Sequence, residues 1–84
     1  MTLRVRVRYI SIVRDKVGKD YEEIIFESDQ VTLGELLETL DRKYNFSSIL
    51  GDDLIVLING KRLDQNEYLP AECSVVIAPP VSGG

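Results

Sequence analysis

Leu3, Val5, Val7 and Tyr9 alternate with Arg4, Arg6 and Arg8, a period of two that puts the apolar set on one face of a strand and three guanidiniums on the other. The stretch SIVRDKVGKD, residues 11 to 20, reads as a connector with Gly18 as its turn point. Glu22 to Phe26 then makes a second strand with Ile24 and Phe26 inward, so that the two strands form a hairpin. Thr32 followed by Glu35 is a capping box, and Val31 and Leu36 stand at the two positions of a hydrophobic staple around it. Behind this start, Leu33, Leu36, Leu37, Leu40 and Tyr44 recur at helical spacing, giving a helix of about three turns with one apolar stripe. A helix with a single apolar face lies on a sheet.

LIVLI, residues 54 to 58, is an apolar run ending at Asn59-Gly60, two residues whose tolerance of positive φ suits a tight hairpin turn. Lys61 to Leu63 is the expected short return strand, and Ser74 to Ala78 the last strand. Pro79-Pro80 stops that strand, because neither proline has an amide for a ladder. The order ββ, helix, ββ points to an α+β layer architecture, a β-grasp of the ubiquitin-like kind, with a mixed sheet wrapped around one main helix. Its final strand is expected to run parallel beside the first. The chain then divides into a β-grasp domain over 1–78 and an extended C-terminal tail over 79–84.

Composition narrows the function. The chain has 84 residues, enough for one small domain, and no apolar run near the length of a membrane span. Its start offers no continuous apolar segment of the kind that opens a signal peptide, so a cytoplasmic location is the expectation. Fourteen acidic residues against ten basic ones give a formal charge of -4, which argues against a nucleic-acid surface and for a basic or neutral protein partner. One cysteine, Cys73, excludes an intrachain disulfide, an iron–sulfur cluster and a cysteine-rich metal site. The absence of histidine removes the usual general base and the commonest metal ligand, and with them self-contained catalysis.

What remains is the ending PPVSGG. The prolines bias it toward an extended spacer, and Val81, Ser82, Gly83 and Gly84 lack bulk. Six extended residues reach about 20 Å, and a backbone without Cβ atoms passes a channel too narrow for other residues. Such a tail delivers its own carboxylate to another protein's active site. A carboxylate is a poor electrophile, so it needs activation, most simply as an acyl-adenylate made from ATP, after which a sulfur nucleophile yields a thiocarboxylate. This chain has no phosphate-binding loop for that step, since Gly18-Lys19 lacks a glycine at the required upstream spacing. The catalyst lies elsewhere. The plain alternative is a small-residue chain end without a task.

VRVRYI, RDKVG, TLGELL at residues 32 to 37, the LING turn and above all PPVSGG resemble the small, sulfur-carrier subunit of molybdopterin synthase, of the MoaD/ThiS ubiquitin-like class. The resemblance implies that Gly84 is the residue adenylated and then thiolated, that Gly83 threads beside it, and that Pro79, Pro80, Val81 and Ser82 line a partner's channel. It further implies an adenylating enzyme of the ubiquitin-activating type that uses ATP, a sulfur donor, and a large synthase subunit in a heterotetramer. There sulfur passes to a cyclic pyranopterin in molybdenum cofactor biosynthesis. No bound cofactor, metal, nucleic acid or membrane is implied. One departure is Glu72-Cys73, where the family often has Gly-Asp before its last strand; a turn begun by Pro70 is expected instead.

Other candidates carry less. Cys73 reads as a small buried filler rather than a relay thiol. The arginine row reads first as a solvated strand face with Glu23 and Glu27 as cross-strand partners, and second as a surface that steers an acidic partner. Lys61-Arg62 reads as solvated, with contact to a substrate phosphate as the lesser reading, and Asp52-Asp53 as loop charges. Besides the molybdopterin reading, a carrier for another pathway such as thiamine synthesis, a protein modifier, and a plain binding module stay open.

Overall fold

The first alternation becomes β1 (Leu3–Tyr9), whose residues are buried and exposed strictly in turn. The computed structural model describes residues 2–45 and 54–80. After β1 come α1 (Ile12–Val17), β2 (Tyr21–Phe26), α2 (Leu33–Tyr44), β3 (Ile55–Ile58) and β4 (Cys73–Ala78). The four strands form one mixed sheet in the order β2-β1-β4-β3. β1 pairs antiparallel with β2 and parallel with β4, and β3 pairs antiparallel with β4. This is the β-grasp arrangement that the element order predicts, with β4 central beside β1.

The inward set is one cluster. Val5, Val7, Val75 and Ile77 from the two central strands meet Leu33, Leu36 and Leu40 from α2, all of them buried. Burying side chains of this size stabilises by about 1.5 to 3 kcal/mol each relative to exposure, and this term holds helix and sheet together. α2 starts as its sequence specifies: the Glu35 amide donates to Thr32 Oγ1 at 3.2 Å and the Thr32 amide donates to Glu35 Oε1 at 3.1 Å. Two further amides of its first turn, those of Leu33 and Gly34, donate at 3.0 Å to the carbonyls of Glu67 and Gln65. The N-terminal amides of the helix are thereby satisfied by protein. The approach is close enough that a Cβ on Gly34 would stand 3.2 Å from the Gln65 carbonyl oxygen.

Three expectations need correction. The connector over 11–20 holds a helix, α1, with Val13 buried, Val17 packed on the core, and Gly18 as a left-handed C-cap at φ 85° rather than a hairpin turn. The i, i+4 spacing of Val13 and Val17 ahead of a glycine was the available signal. β2 and β4 each begin one residue earlier than expected, at Tyr21 and Cys73. The return strand over Lys61 to Leu63 shrinks to a single bridge between Ile58 and Lys61. That bridge closes the expected turn, with Asn59 and Gly60 at φ 51° and 82° and reciprocal bonds of 2.7 and 3.0 Å between Ile58 and Lys61.

Candidate functional site

The tail leaves from the middle of the sheet. Ile77 lies opposite Tyr9 in the parallel ladder with β1, and Ala78 lies opposite Ile55 in the antiparallel ladder with β3. The Ile10 amide donates to the Ile77 carbonyl at 3.0 Å, the last bond on that side. Pro79, half-buried, and Pro80, exposed, follow with no amide to extend either ladder. The chain is therefore held on the β1 side up to Ile77 and on the β3 side up to Ala78, and neither ladder continues into Pro79. Val81, Ser82, Gly83 and Gly84 lie outside the described residues, as do Asp52 and Asp53.

Cys73 stands at the other end of β4 from Ala78, about 17 Å away along a six-residue strand. It is buried, and burial pushes its thiol up from the usual value. A protonated, covered sulfur at that distance is core filling, as the sequence suggests.

The chain bends at Ala71 and Glu72, directly after Pro70, where the turn is expected. Among the described residues no backbone bond closes it; the Asn59 side chain does so instead. Its Nδ2 donates to the Glu72 carbonyl and its Oδ1 accepts from the Ser74 amide, both at 2.8 Å. The Asn59 amide adds a third bond, to the Ser74 carbonyl at 2.8 Å. One residue thus sets the positive-φ turn after β3 and the entry of β4, the strand that carries the tail.

The sequence reading missed the role of Glu22. It shares the inward parity of Ile24 and Phe26, and its side chain is only 10% exposed. Its Oε2 accepts from the hydroxyls of Tyr9 and Tyr44, both at 2.5 Å, and its Oε1 accepts from Lys43 Nζ at 3.1 Å. Burial works against ionisation of this carboxyl, but the bonds from Tyr44, Tyr9 and Lys43 outweigh it and hold the group below its usual range. Burial and the contact with Glu22 push the Tyr9 hydroxyl far up, and the same contact raises Lys43. The cluster locks α2 to the β1–β2 pair and is structural in role.

On the outer side of the sheet, Arg4 Nε lies 4.0 Å from Glu23 Oε2, while among the described residues Glu27 pairs with none of the arginines. Lys61 and Arg62 are exposed. Among the described residues no helix is long and apolar enough to cross a membrane, which bears on helices alone.

A family model, the ThiS family, matches residues 7–84. The chain belongs to the ThiS family. Solved structures show the same fold. A Pyrococcus furiosus protein designated molybdopterin converting factor subunit 1 superposes with a TM-score of 0.81 at 23% identity, over 94% of this chain and 99% of its own. Small archaeal modifier protein 1 of Haloferax volcanii does so at 0.78 and 20%, over 94% and 99% of the two chains. Its Methanosarcina acetivorans namesake gives 0.74 and 24%, over 100% and 99%. A search of curated proteins gives no match. This ThiS-family chain thus has the fold shared by sulfur carriers and ubiquitin-like modifiers.

Proposed function

We propose that this chain is a sulfur carrier whose Gly84 carboxylate is converted to a thiocarboxylate, and that it serves as the small subunit of molybdopterin synthase. The observation that carries the reading is that both ladders of β4 end before Pro79, where the motif PPVSGG begins. A tail that sheds its ladder at a fixed point presents its end to another protein while the domain stays folded. The ThiS family match over nearly the whole chain and the fold shared with the converting factor support it.

The chemistry belongs to partners. The Gly84 carboxylate attacks ATP on an adenylating enzyme, giving the acyl-adenylate and pyrophosphate. Hydrosulfide, or a donor equivalent to it, displaces AMP and leaves the thiocarboxylate. Within the large synthase subunit, two such groups supply the sulfurs of the dithiolene on the cyclic pyranopterin, and each tail returns to a carboxylate. What this chain contributes is reach, a narrow backbone at Gly83 and Gly84, and a domain for the partner to grip.

The structural likeness to small archaeal modifier proteins supports a second reading, in which the activated Gly84 acylates a lysine of a target protein. Intact mass separates the two. After incubation with ATP, sulfide and the cognate adenylating enzyme, the carrier reading expects a gain equal to exchange of one oxygen for sulfur, absent when Gly84 is deleted. No gain with an active enzyme preparation rejects it, and isopeptide adducts on target lysines establish the modifier.

A further inference from the structure

The register places Arg4, Arg6 and Arg8 on the outward face of β1, and across the four strands this face holds one carboxylate, that of Glu23. Glu23 lies opposite Arg6, yet its carboxylate sits 4.0 Å from Arg4. Among the described residues Arg6 and Arg8 have no ion-pair partner. A chain of net charge -4 thus carries two uncompensated guanidiniums side by side in the middle of its sheet.

They border a shallow cleft of about 380 Å³ lined by Arg6, Arg8, Tyr21, Ser74, Val75 and Val76. Tyr21 is 48% exposed at one side of it. On the other side Val76 is paired with Leu57 of β3, both half-buried, so a charged row adjoins an apolar one.

We propose that this face binds an extended acidic segment of a partner protein, with carboxylates two residues apart on Arg6 and Arg8. The spacing selects the segment. Side chains on one face of an extended chain recur every two residues, about 6.6 to 6.8 Å, which is also the separation of Arg6 and Arg8 along β1. Carboxylates at alternate positions therefore meet the two guanidiniums in register, each able to form a bidentate pair. The net negative charge of the whole chain repels long polyanions, whereas a short segment feels chiefly the local row, because charges beyond about 8 to 10 Å are screened at moderate salt. A protein segment fits that balance and a nucleic acid does not. The face stands independently of what becomes of the tail.

The test titrates the full chain, labelled with nitrogen-15, with a synthetic peptide of alternating Glu and Val, and with a peptide of the same composition built on Glu-Glu-Val-Val, in which no two Glu residues stand two apart. Expected are amide shifts confined to residues 6–8, 21 and 74–76, and binding at least about threefold weaker for the Glu-Glu-Val-Val peptide, whose adjacent carboxylates point to opposite faces. Affinity is expected to fall about threefold or more between about 50 and about 200 mM salt. Arg6→Thr/Arg8→Thr keeps β propensity and abolishes the shifts; Lys61→Ser/Arg62→Ser leaves them unchanged. Should the double arginine variant fail to fold, Arg8→Gln alone reads the same loss. Equal binding of the two peptides, shifts centred on Lys61, or binding that survives loss of both arginines overturns the proposal. So does inorganic phosphate that displaces the peptide at equal concentration, or single-stranded DNA that binds more tightly.

Discussion

Tyr9 on β1 and Tyr44 in the last turn of α2 meet edge to face, ring centroids 5.9 Å apart at 75°, and both donate to the same oxygen of Glu22. Three elements distant in sequence are joined through one carboxylate that is largely out of water. Hydrogen bonds to a charged acceptor contribute about 1.5 to 3 kcal/mol each, and removal leaves two covered hydroxyls short of an acceptor. Glu22→Ala is expected to cost about 2 to 4 kcal/mol, and Glu22→Gln, which keeps an oxygen but loses the charge, about 1 to 2. Urea unfolding of the three proteins measures this.

The same carboxyl gives a pH dependence of definite sign. Its folded pKa is below its ordinary value of 4.5, so between the two values the unfolded chain binds more protons and stability rises with pH. The contribution is complete above about 4.5 and is lost as pH falls through the lower, folded value. Glu22→Gln should flatten this acid limb. An equally steep limb in the variant would place the proton uptake on other carboxylates.

Asn59 supports a second prediction, because it combines a left-handed backbone with two side-chain bonds to the entry of β4. Asn59→Gly keeps the turn and loses the bonds, and since the site is exposed and water replaces part of them, about 1 kcal/mol is expected. Asn59→Ala loses the tolerance of positive φ as well, and about 2 kcal/mol is expected. Thermal unfolding ranks them, and an Asn59→Gly as costly as Asn59→Ala would show that φ contributes nothing.

Ser11 is the converse case, a residue at φ 59° and ψ -129° whose side chain caps nothing. A non-glycine in so sparse a region stores about 1 to 3 kcal/mol, while glycine there adds under about 1 kcal/mol of chain entropy to the unfolded state. Ser11→Gly should therefore stabilise, by about 1 kcal/mol in urea. A loss of stability would mean that the hydroxyl has a task.

The strand alternation of residues 3–9, the Thr32–Glu35 box and the Asn59-Gly60 turn were legible because each is decided by neighbours in sequence. α1 was not, since six residues with one buried side chain give too little periodicity, and its position depends on the core that Val13 enters. Glu22 was hidden for another reason: a charge at an inward position is read as an exposed one until Tyr9 and Tyr44 are seen to meet it. Asn59 was recognised as a turn residue but not as the closure of residues 72–74, a contact across more than ten positions. The proposed site is the most local feature of all, the motif PPVSGG, which is why the proposal for its chemistry draws on the sequence more than on the fold.

Cys73 should stay silent in the proposed sulfur transfer. It is buried, with its thiol pushed up by burial and the length of β4 between it and the tail. Its reaction with a disulfide reagent should be slower by about 100-fold or more in the native chain than in urea. Cys73→Ala should leave the mass gain at Gly84 intact. Loss of that gain in a variant that remains folded would return Cys73 to the pathway as a relay.

Pro79 and Pro80 separate two roles of the tail, release from the sheet and stiffness. Replacing both with glycine restores two amides beyond Ala78 and converts a semi-rigid spacer into a flexible one. The domain should unfold at nearly the same urea concentration, because neither proline contributes to a ladder. Activation by the adenylating enzyme should suffer in KM more than in kcat, since a flexible tail loses more conformational entropy on entering a channel while its carboxylate is unchanged. A drop of about three- to tenfold in kcat/KM is expected, corresponding to about 0.7 to 1.4 kcal/mol. Unchanged kinetics would show that the prolines serve only to end β4, and a fall in kcat alone would place them against the reacting carboxylate.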